Sequence, residues 1–198
     1  MARTAADNIS KIMGIVAVVF GFVALVLTCV GVGTIQWYIS GNANYITSAT
    51  NFFTYCTYDG TTGNQIGCSQ RTAYAHPFCD ASYTAPTVAI SNSDCHYRMR
   101  NAAALTLVGI ILLAFGTVLT LVMAFGILSE WFLNLIPGLL LFLASLFMLA
   151  GLAEGARYIA YNSYSASLYE AGHLFTILSL FLSSFAGGRI AFACGGGK

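Results

Sequence analysis

The sequence predicts a membrane α-helical protein, a single four-helix domain with a long polar loop between its first two helices. Three observations carry this prediction. Of 198 residues, 58% are hydrophobic and 8% are charged, with a mean hydropathy of +0.76, whereas globular chains carry roughly 25% charged residues. The apolar residues fall into four blocks, each long enough to cross a bilayer. Four of the six cysteines crowd into one polar loop. Eight Lys and Arg against seven Asp and Glu leave a net charge of +1, which supplies no basic field for nucleic acid and no acidic tail.

The first span, Ile12 to Gly33, has 22 residues without a charge. At 1.5 Å rise per residue that is about 33 Å, enough for a hydrocarbon core of about 30 Å. It starts too late and runs too long for a cleaved signal peptide. The second span is expected over 102–128, the third over 132–153 and the fourth over 171–193. The fourth is the least apolar, interrupted by His173 and Arg189, and the arginine is expected to snorkel. A turn around Ser129, Glu130 and Trp131 is so short that the second and third spans must be antiparallel neighbours. Pro137, about one turn into the third span, reads as a helix-entry feature. Gly14 with Gly21, Gly109 with Gly116, and Gly151 with Gly155 recur on single helix faces at spacings of seven or four. Such small residues line helix seams, here within the monomer. Cys29, inside the first span, reads as a small buried hydrophobe.

Orientation rests on charge and on cysteine placement. Arg3, Lys11, Arg189 and Lys198 fall on one side of the membrane, and Arg157 alone falls in the short loop on the other. The long loop, about 36–101, exceeds the length over which the positive-inside rule holds. Its cysteines, Cys56, Cys68, Cys79 and Cys95, read as two disulfides formed in an oxidising compartment. That places the loop outside the cell, both termini in the cytoplasm and the protein in the plasma membrane. Asn8-Ile9-Ser10 then lies in the cytoplasm, so no N-glycan is expected. Cys194, at the cytoplasmic mouth of the fourth span, is a candidate palmitoylation site.

The loop is rich in Tyr, Phe, Thr, Ser and Asn. Residues 51–58 have strand preference, Asp59 to Gly63 supply a turn, and 64–72 can return antiparallel. Cys56 and Cys68 then sit on facing strands, where a bridge can lock the hairpin. Four cysteines allow three connectivities. His76, Cys79, Cys95 and His96 can also be drawn as a zinc site, but the compartment favours a disulfide and no metal is expected.

These residues resemble a known family. Ile35 to Ser40, with Trp37 at its centre, is similar to the tryptophan entry of the claudins, and Asn51-Phe52-Phe53-x-x-Cys56 lines up with their Gly-Leu-Trp-x-x-Cys. The segment from Thr62 to Cys68 resembles the stretch leading to their second loop cysteine, and Arg100 sits where claudins carry a basic residue. Residues 170–186 resemble the fourth helix of invertebrate claudin-like proteins. With its long first loop and shorter second one, about 157–170, the chain resembles the claudin and peripheral-myelin-protein superfamily over nearly its whole length. Phe52 and Phe53 replace the family's leucine and tryptophan, the spacing from Cys56 to Cys68 is slightly long, and Cys79 and Cys95 are an additional pair. The chain therefore reads as a divergent member. The resemblance implies a left-handed four-transmembrane helix bundle bearing a small disulfide-braced extracellular antiparallel β-sheet, which Trp37 secures to the helices.

No enzyme, catalytic residue or cofactor is expected. The sequence has no nucleophile elbow, phosphate loop or HExxH motif, and the spans lack the ionisable residues that mark transport routes. Glu154 and Arg157 are expected to form a local ion pair. Function is then expected to act through contact, with membrane lipids around the helices. In one form the chain is a junction, adhesion or paracellular-barrier protein that meets itself or related claudin-like chains. In that form Asp59, Arg71, Asp80 and Asp94 are candidate selectivity charges, and Tyr158, Tyr161 and Tyr164 of the second loop are candidate contact residues. In the other form it is an auxiliary subunit docked on an ion channel or receptor. The sequence ends Cys194-Gly-Gly-Gly-Lys198, without the scaffold-binding terminus of junctional claudins, so docking through that end is not expected.

Overall fold

The computed structural model describes residues 2–41, 45–81, 92–126 and 134–195. It is mostly helical: α1 (Ala2–Gly33), β1 (Tyr38–Gly41), β2 (Ile46–Thr50), β3 (Thr54–Tyr58), β4 (Gln65–Gln70), α2 (Pro77–Ala81), α3 (Asn92–Ala124), α4 (Ile136–Gly155) and α5 (Tyr164–Gly195). Four helices, α1, α3, α4 and α5, are long and apolar enough to cross a membrane. Together with a four-stranded antiparallel sheet and two disulfides they make a membrane α-helical architecture compatible with the claudin-like plan.

Several helix ends differ from the sequence reading. α3 starts at Asn92, so residues 92–101, read as loop, are helical. Asn92 and Ser93 are residue types that start helices, and Asp94 in the first turn suits the positive end of the helix dipole. α3 stops at Ala124, short of 128, because Gly126 adopts φ +71° and its N–H bonds the Met123 carbonyl, a left-handed cap that glycine takes without steric cost. α4 starts at Ile136, placing Pro137 in the first turn, where its missing N–H has no intrahelical acceptor to lose. α5 starts at Tyr164, so half of the expected second loop is helix. The turn at Ser129, Glu130 and Trp131 lies outside the described residues.

The chain divides into two compact units: residues 1–28, 108–148 and 171–198, and residues 29–107 and 149–170. The first is helical, and glycines and small hydroxyl residues line its seams. A Cβ on Gly14 would lie 2.8 Å from the Ala124 Cβ, one on Gly21 2.5 Å from Thr117 Oγ1, and one on Gly109 2.7 Å from Met148 Cγ. The predicted glycine pairs are therefore intramolecular close approaches, which let dispersion contacts accumulate where no hydrophobic force separates helix from lipid. Thr117 and Thr120 return their hydroxyls to the carbonyls of Leu113 and Gly116, each at 2.8 Å. Ser179 donates to the Ala17 carbonyl at 2.8 Å, a bond between α5 and α1. His173 meets Ser145 Oγ at 3.0 Å. Each of these helices also presents large apolar side chains outward, such as Phe22, Phe115, Phe142 and Phe181. Cys29, expected to be buried, lies on an outward face. A thiol in lipid needs no protein cover, which is why composition could not separate the two cases.

The second unit holds the sheet, a meander in the order β1-β2-β3-β4. The expected hairpin is its second half: β3 pairs β4 with Cys56 opposite Cys68. The turn between them closes through Asp59 N–H to the Asn64 carbonyl and Gly63 N–H to the Asp59 carbonyl, both at 2.8 Å, with Gly63 at φ +71°. β1 and β2, pairing Tyr38 with Thr50 and Ile39 with Ala49, are short strands that loop composition did not resolve.

Candidate functional site

The sheet unit is built around Trp37, which is fully buried. Its Nε1–H donates to the Gly31 carbonyl at 2.6 Å, near the C-terminal end of α1. Its ring meets Phe52 at 4.5 Å, Tyr169 at 5.2 Å and Tyr161 at 5.4 Å between centroids. Phe52 seats on Gly155, where any Cβ would strike its ring. Phe53, the other signature phenylalanine, is half-buried and offers its carbonyl to Arg71 N–H at 2.8 Å.

Asn51 ties the sheet to α1. Its Nδ2 donates to the carbonyls of Val32 at 3.3 Å and Thr34 at 3.0 Å, satisfying groups that a helix end leaves without partners. Its Oδ1 accepts from Phe53 N–H at 2.8 Å and Thr54 N–H at 2.7 Å. The Asn51 carbonyl accepts from His76 Nε2 at 3.0 Å, and His76 Nδ1 accepts from Phe78 N–H at 3.2 Å, at the start of α2. His76 is thereby held neutral, and burial, opposed by the bond to Asn51, pushes its pKa down to about 4. Sequence reading weighed His76 only as a metal ligand. The local signal for its actual place is the His-Pro step that opens a helix.

Two disulfides brace the unit, Cys56–Cys68 across β3 and β4 and Cys79–Cys95 between α2 and α3. This selects one of the three connectivities, and it removes both sulfurs from the zinc set drawn on sequence. His96 Nδ1 instead accepts from His76 N–H at 3.0 Å, while its Nε2 lies 3.3 Å from Asp80.

The expected Glu154–Arg157 pair is replaced by a longer-range one. Arg98, on the helical extension of α3, bonds Asp94 at 3.0 Å and Glu154 at 2.8 Å, and Tyr158 donates its hydroxyl to Asp94. The i, i+4 spacing of Asp94 and Arg98 became readable only once residues 92–101 were helical.

The candidate selectivity charges thus sit in four different settings. Asp59 is engaged by the turn, where the Thr61 N–H and then the Thr61 and Thr62 hydroxyls hold its pKa at about 2. Asp94 belongs to the Arg98 cluster, Asp80 faces His96, and Arg71 shares a cavity with Arg100. Among the tyrosines, Tyr158 and Tyr161 bond inward, Tyr161 to the Leu152 carbonyl at 2.5 Å, and only Tyr164 is exposed. Burial raises the Tyr161 pKa. The side chain of Cys194 lies outside the described residues.

The two edges of the sheet differ. At β1, Ile39 N–H donates to Asn162 Oδ1 and Asn162 Nδ2 donates to the Ile39 carbonyl, both at 2.9 Å. One side-chain amide thus takes the place of a neighbouring strand. At the other edge β4 is exposed at all six positions, carries no charged residue, and pairs with no further strand among the described residues. Ile66 there is 72% exposed. Beside it, Tyr55, Thr57, Gly67, Ser69, Pro77 and Asp80 line an open groove of about 470 Å³ between the sheet and α2. No protein-family model matches the sequence, and no curated protein matches it either.

Proposed function

We propose that this is a non-enzymatic, claudin-like integral membrane protein that acts by lateral and extracellular contacts, as a cell-junction, adhesion or paracellular-barrier component. In this reading the sheet lies outside the plasma membrane, both termini are cytoplasmic, lipids surround the outward helix faces, and the partners are further copies or related claudin-like chains. The two disulfides support the outer placement, because such bonds persist in oxidising compartments.

One observation carries the contact reading: one sheet edge is capped by Asn162, while β4 is uncharged and, among the described residues, pairs with no further strand. Soluble proteins blunt such edges with lysine, proline or a covering element, because unpaired strand groups recruit other chains. Here, among the described residues, the protection is applied to one side only.

The test expresses the full chain in cells that lack it and follows its assembly at cell contacts, alongside mild-detergent purification of what accompanies it. Accumulation as strands at contacts, reduced in an Ile66→Lys variant that still reaches the surface, is the expected result. A stoichiometric channel or receptor subunit co-purifying, with no enrichment at contacts, would replace this reading with the auxiliary-subunit one.

A further inference from the structure

His173 lies half-buried where α4 and α5 meet, with Nε2 3.0 Å from Ser145 Oγ and 3.2 Å from the Ser145 carbonyl oxygen. Ser145 is the tenth of the 20 residues of α4, so about 14 Å of helix separates the pair from either end of that span. We propose that this pair is the centre of a lateral contact between two copies of the chain, in which His173 of each copy bonds Ser145 of the other. The inference rests on the reading of further copies as lateral partners and names the place where they meet.

The chemistry of the ring fixes what His173 can take. A carbonyl only accepts, so Nε2 carries the ring proton and Nδ1 presents a lone pair. Among the described residues Nδ1 bonds no group, and protein does not bury it. Leu146 and Leu174, next in sequence to the pair, are outward at 46% and 63% exposure. The lone pair therefore opens onto hydrocarbon, and lipid tails hold no donor for it.

What satisfies it is a donor at the same depth. All copies share one orientation in the bilayer, so a two-fold axis along the membrane normal carries each residue to the depth it already occupies. Ser145 and His173 share a depth because they touch. With the axis beside the α4–α5 seam, α5 of one copy faces α4 of the other. The Ser145 oxygen accepts from Nε2 within its own chain, and its hydroxyl hydrogen is then directed to Nδ1 across the contact. The bond forms twice, as a self-complementary two-fold interface requires. Phe142, Leu149 and Ile177, also outward, supply packing surface around it. Other donors compete poorly among the described residues. The hydroxyls of Thr117, Thr120, Thr176, Ser179 and Ser183 belong to buried residues. Ser184 is exposed but 11 residues further along α5, about 16 Å deeper. The outward Cys29 thiol on α1 is a weak donor.

The test reconstitutes the full chain, carrying donor or acceptor dye at its C-terminus, in phosphatidylcholine vesicles and follows energy transfer as the protein-to-lipid ratio falls. A saturable dimer is expected. His173→Leu and Ser145→Ala should each raise its dissociation constant about tenfold, the loss of two interhelical hydrogen bonds of the size found in membranes. The double variant should be no weaker than either single one, because each change already removes both bonds. In a Cys29→Ala, Cys194→Ala background, a Ser145→Cys chain mixed with a His173→Cys chain should cross-link under mild oxidation. A monomer at every dilution, unchanged dissociation constants in both single variants, or cross-linking of His173→Cys only to a chain that keeps Cys29 would each overturn the proposal. So would a lowered melting temperature with a parental dissociation constant, which would make the bond a staple between α4 and α5 alone. Vesicles contain no cell contacts, so the outcome is independent of the junction reading: dimers in vesicles without enrichment at cell contacts would support the α4–α5 contact and refute the junction reading alone.

Discussion

Replacing both Cys56 and Cys68 by alanine removes the covalent link across the β3–β4 hairpin without leaving a buried polar group. The bridge closes a loop with a sequence separation of 12. With loop closure costing about 2.1 + 1.5R ln n cal/mol/K, the unfolded segment gains roughly 3 kcal/mol of conformational freedom at 25 °C when the bridge is removed. That loss should fall first on the sheet, since the β3–β4 ladder is where the link acts. Amide hydrogen exchange in nanodiscs reads it directly. Ladder amides such as those of Thr57 and Gly67 should exchange about a hundredfold faster, by the relation of exchange to local opening free energy, while amides in the middle of α4 stay unchanged. Removing Cys79 and Cys95, with a separation of 16, should cost a similar amount but register in α2 and the first turns of α3. If the Cys56/Cys68 variant left ladder exchange unaltered, the hairpin would be held by its hydrogen bonds and by Trp37 packing, and the bracing argument would be wrong.

Four further outcomes follow. Trp37→Phe should destabilise the sheet unit by about 1–3 kcal/mol, because the Gly31 carbonyl loses a buried donor; unfolding in mild denaturant measures it. His76 has a folded pKa of about 4, below its ordinary 6.5, so the unfolded chain binds the proton more readily. Its contribution, roughly 3 kcal/mol, is complete above pH 6.5 and is lost as the pH falls toward 4; a His76→Gln variant should flatten the melting-temperature profile in that window. The adjacent glycines of α5 should behave oppositely: Gly187→Ala meets the Asn134 carbonyl and destabilises, while Gly188→Ala has open space and gains up to about 1 kcal/mol of helix propensity, as thermal unfolding will show. Asn162→Ala should open the β1 edge, read as faster exchange of the Ile39 amide with no change at β4.

The spans were legible because lipid imposes a simple requirement, about twenty apolar residues in a row, and nothing in the chain competes with it. The β3–β4 hairpin was legible from its turn, Asp59 to Gly63, and from two cysteines placed to face each other. Helix ends were less so. Residues 92–101 are polar and read as loop, yet they are helical, because hydropathy marks where a helix enters lipid and not where its hydrogen bonds begin. Tyr158 and Tyr161 read as outward contacts, but their hydroxyls bond Asp94 and the Leu152 carbonyl, since an aromatic with a polar tip suits an interior and an interface equally.

Sequence by itself determined that the chain has four helices long and apolar enough to cross a membrane, that glycines make its seams, and that a cysteine-braced loop lies between the first two spans. These follow from composition and short-range pattern, which the solvent on each side reads residue by residue. Only the tertiary structure decided that Asn51 joins sheet to helix, that Arg98 takes Glu154, that Asn162 caps one sheet edge while β4 pairs with no further strand among the described residues, and that Arg71 and Arg100 line one cavity. Each of these depends on groups distant in sequence meeting at hydrogen-bonding or Coulombic range, and such distances are set by the packing of the whole unit and not by any local stretch of it.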